Sequence, residues 1–250
     1  MPAKVCGGFV YLNMNLVLLN LKDFIDPEHV RINDRRFKHL VSVNRVKEND
    51  HVVCGLLNGK IGTGLIKKVS HDFIDMKICL DHDPPEPLPL TLVLALPRPK
   101  MLKRIIESVT SLGVKHIYLI NSWRVEKSFW QSPLLNDDQL RKHMILGLEQ
   151  SRDTVLPKIY KRRFFTQFVK EELPLIAKDS LCMTAHPKTS NICPAGVNKK
   201  ITLVIGPEGG FIDIEIDTLE QYGFSSYHIG PRILRVETAV PYLISRLYSK

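Results

Sequence analysis

Three short segments of this 250-residue chain combine glycine, proline and charge in ways that suit a ligand: AHPKTSN (185–191), GPEGGF (206–211) and GPRILRVET (230–238). In GPEGGF, Gly206, Gly209 and Gly210 allow close backbone approach or positive φ, while Pro207 stiffens the turn. Such a turn presents backbone amides. It carries neither the G-x-G-x-x-G spacing of a dinucleotide fold nor the G-x-x-x-x-G-K-[ST] of a phosphate loop, which disfavours NAD and nucleoside triphosphates. In the third segment Gly230-Pro231 makes a sharp exit, and Arg232, Arg235 and Glu237 crowd charge beside Ile233 and Leu234. Arg235 and Glu237 stand at the start of the last helical pattern, whose electropositive end suits an anion or a proton. A satisfied Arg–Glu surface pair is the plainer alternative.

Each segment follows an apolar run, LCMTAHP, ITLVIG and SSYHIG, and ligands of parallel α/β sheets bind outside the carboxyl ends of strands. The flanking grammar agrees. TLVLALP reads as a buried strand, and PKMLKRIIESVTSLGV as a helix with Met101, Leu102, Ile105, Ile106, Val109 and Leu112 at helical spacing, closed by Gly113. HIYLI follows as a strand, DDQLRKHMILGLEQSRD as a helix, DIEIDTLEQYGF as a helix closed by Gly223, and ETAVPYLISRLYS as the last helix. Strand and helix in alternation predict a parallel sheet covered by helices.

Ahead of this pattern, DHDPPEPLPL (81–90) fixes backbone angles at Pro84, Pro85, Pro87 and Pro89 and reads as a stiff linker. The division is then 1–83, a linker at 84–90, and 91–250. In the first part, HVVCGLL and KIGTGLIKKV flank Asn58-Gly59, a strong hairpin signal, and FIDMKICL adds a further strand. RRFKHLVSVNRV (35–46) places Phe37, Leu40 and Val41 on one helical face, so a small, mostly β barrel with one short helix is expected.

A composition of 44% hydrophobic and 24% charged residues is that of a globular chain, neither fibrous nor disordered. Cys6, Cys54, Cys79, Cys182 and Cys193 form no C-x-x-C pair and are odd in number, which excludes a disulfide framework or zinc ribbon, implies no metal, and points to the cytoplasm. The longest apolar run, Leu92–Leu96, is far short of the roughly 20 residues of a membrane-spanning helix. The opening KVCGGFVYLNMNLVLLNL has asparagines within its apolar region and no small-x-small cleavage site, so it reads as holding a first strand rather than a secretory signal. Met14 is an alternative start, with residues 1–13 an appendage. The net charge of +9, mostly after the linker, makes polyanions plausible partners.

AHPKTSN, LVIGPEGGF and HIGPRILRVETA running into the last helix closely resemble the RsmE family, ribosomal RNA uridine-N3 methyltransferases of the SPOUT superfamily. RRFKHLVSVNR, SLGVKHIYLI and LEQSRDTVLPKI extend the likeness from about residue 14 to the end. The resemblance implies a PUA-like β-barrel RNA-binding domain, an α/β domain with a C-terminal trefoil knot, and a homodimer, with Val240, Leu243, Ile244 and Leu247 as a stripe suited to dimer or core packing. It implies S-adenosylmethionine held by Ala185, His186 and Pro187, by Ile205, Gly206, Pro207, Glu208, Gly209 and Gly210, and by Ile229, Gly230 and Leu234, His186 contributing shape. The substrate implied is 16S ribosomal RNA, within the 30S subunit.

The N3 imide proton must leave on methylation, so Arg235 is expected to stabilise negative charge on the base or bind the flanking phosphate, and Glu237 to orient Arg235 or accept the proton. RNA would be gripped by Arg35, Arg36, Lys38 and Arg45, and by KIYKRRFF (158–165), where Lys158, Lys161, Arg162 and Arg163 alternate with aromatics. For the latter segment a solvated helix face is the alternative. The chain departs from the family pattern at Ser108 and Ser111, at Pro241 in the first turn of the last helix, and over NSWRVEKSFWQSP (121–133). A ribose 2′-hydroxyl or transfer RNA methyltransferase, or a non-catalytic RNA-binding protein, are the competing readings.

Overall fold

The computed structural model describes residues 15–249, so the appendage at 1–13 and the start at Met14 lie outside the described residues. The chain forms two compact units. One runs to Glu86 and takes in Leu148–Leu156; the other comprises Pro87–Gly147 and the chain from Pro157. A linear division at the prolines gave 148–156 to the second domain. Hydrogen bonds distant in sequence decide otherwise: the Leu16 N–H donates to the Glu149 carbonyl (2.9 Å), the Leu156 N–H to Asn58 Oδ1 (2.9 Å), and the Thr154 hydroxyl to the Gly59 carbonyl (2.5 Å).

The first unit contains β1 (Val17–Leu19), β2 (Phe24–Asp26), β3 (His29–Ile32), α1 (Arg35–Ser42), β4 (His51–Leu56), β5 (Ile61–Val69) and β6 (Ile74–His82). They form one sheet in the order β1-β4-β5-β6-β3-β2, antiparallel except where β1 lies parallel to β4. Alternate residues of the strands, Val30, Ile32, Val52, Ile66, Ile74 and Met76, bury one face, and Leu40 of α1 joins them. Asn58-Gly59 marks the β4–β5 hairpin, yet Asn58 alone of the two takes the left-handed conformation (φ 59°), and the Gly59 N–H closes the turn on the Leu56 carbonyl at 2.7 Å.

The second unit is a parallel sheet of β7 (Leu90–Ala95), β8 (His116–Ile120), β9 (Lys158–Arg162), β10 (Leu181–Ala185), β11 (Ile201–Ile205) and β12 (Ser225–Tyr227), in the order β12-β10-β11-β7-β8-β9. Every residue of β7 and β11 is buried, as their unbroken apolar runs require of strands covered on both faces. The helices after the linker are α2 (Pro99–Ser111), α3 (Asp137–Ser151, its residues from Leu148 counted with the first unit), α4 (Phe165–Gln167), α5 (Leu173–Ile176), α6 (Asp213–Gln221) and α7 (Val236–Tyr248), with a π-helical stretch at Phe168–Glu172. In α2, Pro99 opens the helix, Leu102, Ile105, Ile106 and Val109 face the core, and Gly113 (φ 85°) ends it.

KIYKRRFF is not a helix face. Its first five residues are β9, the edge strand, where pairing with β8 outweighs any helical spacing; Tyr160 stacks on Tyr118 with centroids 4.6 Å apart. The stripe Val240, Leu243, Ile244 and Leu247 is almost wholly buried within the single chain, where α7 packs on α2, so it is core and offers no dimer contact. Pro241 lies inside α7 rather than in its first turn, because the helix begins at Val236; lacking an N–H, it cannot donate to the Glu237 carbonyl one turn back.

Candidate functional site

The carboxyl ends of β10, β11 and β12 lie side by side because these strands occupy one half of the sheet in the order β12-β10-β11-β7. The loops that leave them enclose one cavity of about 310 Å³. Ala185, His186 and Pro187 line it from the first loop, Ile205, Gly206, Pro207, Glu208, Gly209 and Gly210 from the second, and Ile229, Gly230 and Leu234 from the third. All twelve residues singled out in the sequence therefore share one wall-to-wall site.

Local bonds hold the loops in shape. The His186 N–H donates to the Tyr227 carbonyl (2.9 Å), tying the first loop to β12, and Ile192 bridges His228 in parallel. The Gly210 N–H closes the second loop on the Pro207 carbonyl (2.7 Å), with Gly210 at φ 71°. Two residues brace this turn from outside: Glu208 Oε1 accepts the Arg98 backbone N–H (3.0 Å), and the Arg124 guanidinium donates to the Gly209 carbonyl. In the third loop the Gly230 N–H donates to His228 Nδ1 (3.1 Å), and Gly230 takes φ 124°. Burial pushes the His186 imidazole below its ordinary pKa, with Lys188 acting in the same sense, so His186 is neutral at neutral pH.

Arg235 and Glu237 stand beside the cavity rather than in its wall. Leu234 and Val236 line it; the intervening Arg235 is exposed at the N-cap of α7, where its carbonyl accepts the Thr238 and Ala239 N–H groups, and Glu237 is half-buried in the first turn. Among the described residues neither side chain makes an ion pair, with the other or elsewhere, so both charges are available at the rim.

A family model described as an RNA methyltransferase domain matches residues 84–248, and one described as an RNA methyltransferase PUA domain matches residues 32–79. Ribosomal RNA small subunit methyltransferase E 1 of Borreliella burgdorferi is 30% identical over 230 residues, which cover 90% of this chain and 94% of that one. The chain belongs to the RsmE family. Ribosomal RNA small subunit methyltransferase E of Treponema pallidum is 27% identical, over 90% of this chain and 87% of that one. The crystal structure of a ribosomal RNA small subunit methyltransferase E from Neisseria gonorrhoeae, bound to S-adenosyl methionine, superposes with a TM-score of 0.72 over 93% of this chain and 95% of that one, at 19% identity. The likeness of fold thus spans both units of this RsmE-family chain.

The basic residues that sequence reading proposed for RNA divide sharply. Arg36 is removed from the set: its guanidinium is buried and donates to Asp23 (2.6 and 2.8 Å), to Asp34 and to the Leu18 carbonyl, so it is a structural ion cluster under α1. Arg162 pairs with Glu172 at 2.7 Å, and Lys161 donates to the Leu135 carbonyl (2.6 Å) and to Asp137 (2.7 Å), which spends both on their own surroundings. Arg35 pairs with Glu149 (2.7 Å) while staying half-exposed. Lys38, Arg45 and Arg163 are exposed, Arg163 lying over the Trp130 ring. Alternation of charge with aromatic residues cannot tell a paired cation from a free one.

Lys188, Phe211, Tyr227, His228, Arg232, Ile233, Val236, Ala239 and Leu243 also line the cavity, though sequence reasoning assigned none of them to the ligand. Phe211 and His228 belong to the motifs GPEGGF and HIGPRILRVETA and were within reach; Ala239 and Leu243 lie on α7, and only its docking beneath the loops brings them there. Glu215 and Arg124, which hold the site from outside, carried no motif at all. Among the described residues, no group of three or more His, Cys, Asp or Glu side chains is placed to hold a metal, and no helix is long and apolar enough to cross a membrane.

Proposed function

We propose that this RsmE-family chain transfers a methyl group from S-adenosylmethionine to N3 of a uridine in 16S ribosomal RNA of the small subunit, in the cytoplasm, as a homodimer. The single observation that carries this is the convergence of three loops, with all twelve expected residues, on one cavity. That cavity suits the donor. Its volume of about 310 Å³ is that of a small-molecule site, and glycine backbone with Ile205, Ile229 and Leu234 forms walls for a neutral base. Glu208 also lines the cavity, its carboxylate accepting the Arg98 backbone N–H, and would add an acidic group to a wall that holds a cationic ligand.

When bound, that group supplies an electrophilic methyl. The chain's own residues must then align the base and deal with its imide proton. Holding nucleophile and methyl in register provides about 7–11 kcal/mol, and proton removal a further roughly 10²–10⁴-fold. Arg235, exposed and unpaired at the electropositive start of α7, is suited to stabilise the uracil anion. Glu237, half-buried and in no ion pair among the described residues, is suited to take the proton. Lys38, Arg45, Arg35 and Arg163 remain for phosphate contact, with the first unit as the PUA-like RNA-binding domain.

Threading of the tail as a trefoil knot belongs to the same reading. The segment joining β10 to β11 lies across the end of α7: the Gly196 and Val197 N–H groups donate to the Arg246 and Leu247 carbonyls (3.1 and 2.6 Å), and Arg246 Nε donates to the Cys193 carbonyl (2.7 Å). A tail clasped by an earlier loop supports a knotted path.

Labelled S-adenosylmethionine incubated with the protein and with small subunits from a strain lacking this methylation, or with the deproteinised RNA, tests the proposal. N3-methyluridine is expected. Label in a ribose 2′-O-methyl group would move the activity to the sugar, and RNA binding without any transfer would leave a binding protein.

A further inference from the structure

Resting on the methyl-transfer reading, we propose that Trp123 is a stacking platform for an unpaired RNA nucleotide adjacent to the target uridine, and so a specificity-determining residue. The indole is 80% exposed, whereas its stem is fixed. The Trp123 backbone N–H donates to Glu215 Oε1 (2.8 Å); that carboxylate is buried, and its other oxygen takes the Ile212 N–H at the start of α6 (3.0 Å). The next residue, Arg124, lies over the glycine turn so closely that a Cβ at 209 would stand 3.0 Å from Arg124 Cδ. Residue 123 is thus locked to the cavity loop on both sides and presents its ring outward.

A single exposed apolar side chain is ordinary, but these are grouped. In the second unit the most exposed large apolar side chains are Ile233, Trp123, Leu175, Phe164 and Ile214. All but Leu175 stand on or beside segments that line the cavity: Ile233 lines it, Ile214 follows Phe211 and Ile212, and Phe164 precedes Phe165, whose ring packs on Phe211 at 5.9 Å. Arginines stand on the same segments or on the loop they brace. Arg124 and Arg163 are exposed, and Arg98, whose backbone is held by Glu208, makes no ion pair among the described residues. Fixed aromatic faces that share segments with arginine match single-stranded RNA, in which bases stack and phosphates seek cations.

Steady-state methylation of unmethylated small subunits tests this with Trp123→Ala and Trp123→Phe. The alanine variant is expected to raise KM for the subunit roughly 5- to 100-fold, the range for loss of one base stack, with kcat within about twofold and S-adenosylmethionine affinity unchanged by calorimetry. Phe restores most of the loss. An unchanged KM, a loss confined to kcat, or a Phe variant as poor as Ala overturns the proposal. So does an alanine variant that sediments at a lower mass, since the ring would then serve contact between copies. Should the natural chain transfer no methyl, the reading of the activity fails separately, and the same variants compared by RNA affinity still decide the platform.

Discussion

The buried carboxylate of Glu215 joins the backbone of Trp123 to that of Ile212, accepting one N–H on each oxygen at 2.8 and 3.0 Å. One side chain thereby fixes the loop after β8 against the helix that follows the glycine turn. Glu215→Ala strands two partly buried donors, and a donor left unpaired out of water costs up to roughly 1–3 kcal/mol. The Gln variant restores at most one acceptor and points an N–H at the other. Urea unfolding followed by circular dichroism is expected to show both variants destabilised, Ala the more so. Equal midpoints for all three proteins would remove Glu215 from this role.

Arg36 and Lys38 are two residues apart on one short helix and are expected to respond oppositely. Removing the buried guanidinium leaves Asp23 as a buried, uncompensated charge, so Arg36→Ala should lose roughly 3–5 kcal/mol of stability. Lys38 is exposed, and its alanine variant should leave stability within about 0.5 kcal/mol. If Lys38 contacts phosphate, the slope of log affinity for RNA against log salt falls by about one on its removal. A Lys38 variant with an unaltered slope contacts no phosphate.

Gly230 isolates backbone conformation from packing. Its φ of 124° lies in a region closed to L side chains, while a Cβ there would meet nothing within 4 Å. Gly230→Ala therefore carries a purely conformational cost of about 1–3 kcal/mol, relieved by moving the third loop. Calorimetry should show weaker S-adenosylmethionine binding with the thermal midpoint lowered by a few degrees. Unchanged affinity would separate this loop from the cofactor.

The cavity was legible because its chemistry is carried by contiguous words, GPEGGF and GPRILRVET, placed at strand ends by patterns that run over whole elements. Buried β7 and β11 and the face of α2 were visible for the same reason. What escaped depended on partners far along the chain. Arg36 looked like a surface cation until Asp23 and the Leu18 carbonyl met it; Glu215 looked like any acid in a first helical turn until Trp123 did. KIYKRRFF kept its strand hidden because an edge strand with paired cations has no clean alternation. The α7 stripe could not be assigned between core and dimer from spacing, since both uses demand the same period.

His186 sets a pH dependence. Burial holds its folded pKa below the ordinary 6.5, so between those two values the unfolded chain binds a proton that the folded site refuses. Stability from this residue is constant above about pH 6.5 and falls as acid passes through that value toward the folded pKa. His116, also depressed by burial with Lys158 and Lys200 nearby, acts with the same sign. Thermal midpoints from pH 7.5 down to 5 should therefore decline, and His186→Asn should decline less steeply, as should His116→Asn. A His186 variant with the natural slope would show that the imidazole titrates normally.

Arg235 and Glu237 provide the chemical test. They flank Val236 at the mouth of the cavity, in no ion pair among the described residues, with Pro241 leaving the Glu237 carbonyl without its helical donor. Neither side chain lines the cavity, so their removal should spare the cofactor: Arg235→Ala and Glu237→Gln are expected to keep S-adenosylmethionine affinity within about threefold while turnover falls by roughly 10²–10⁴. The two effects differ with pH. If Glu237 takes the imide proton, the Gln variant is expected to regain rate as alkali ionises the uracil unaided. If Arg235 stabilises the base anion, its loss lowers rate uniformly at all pH, and Arg235→Lys recovers part of it. Near-normal turnover in both variants, with cofactor bound, would place the proton acceptor on some other residue at this rim.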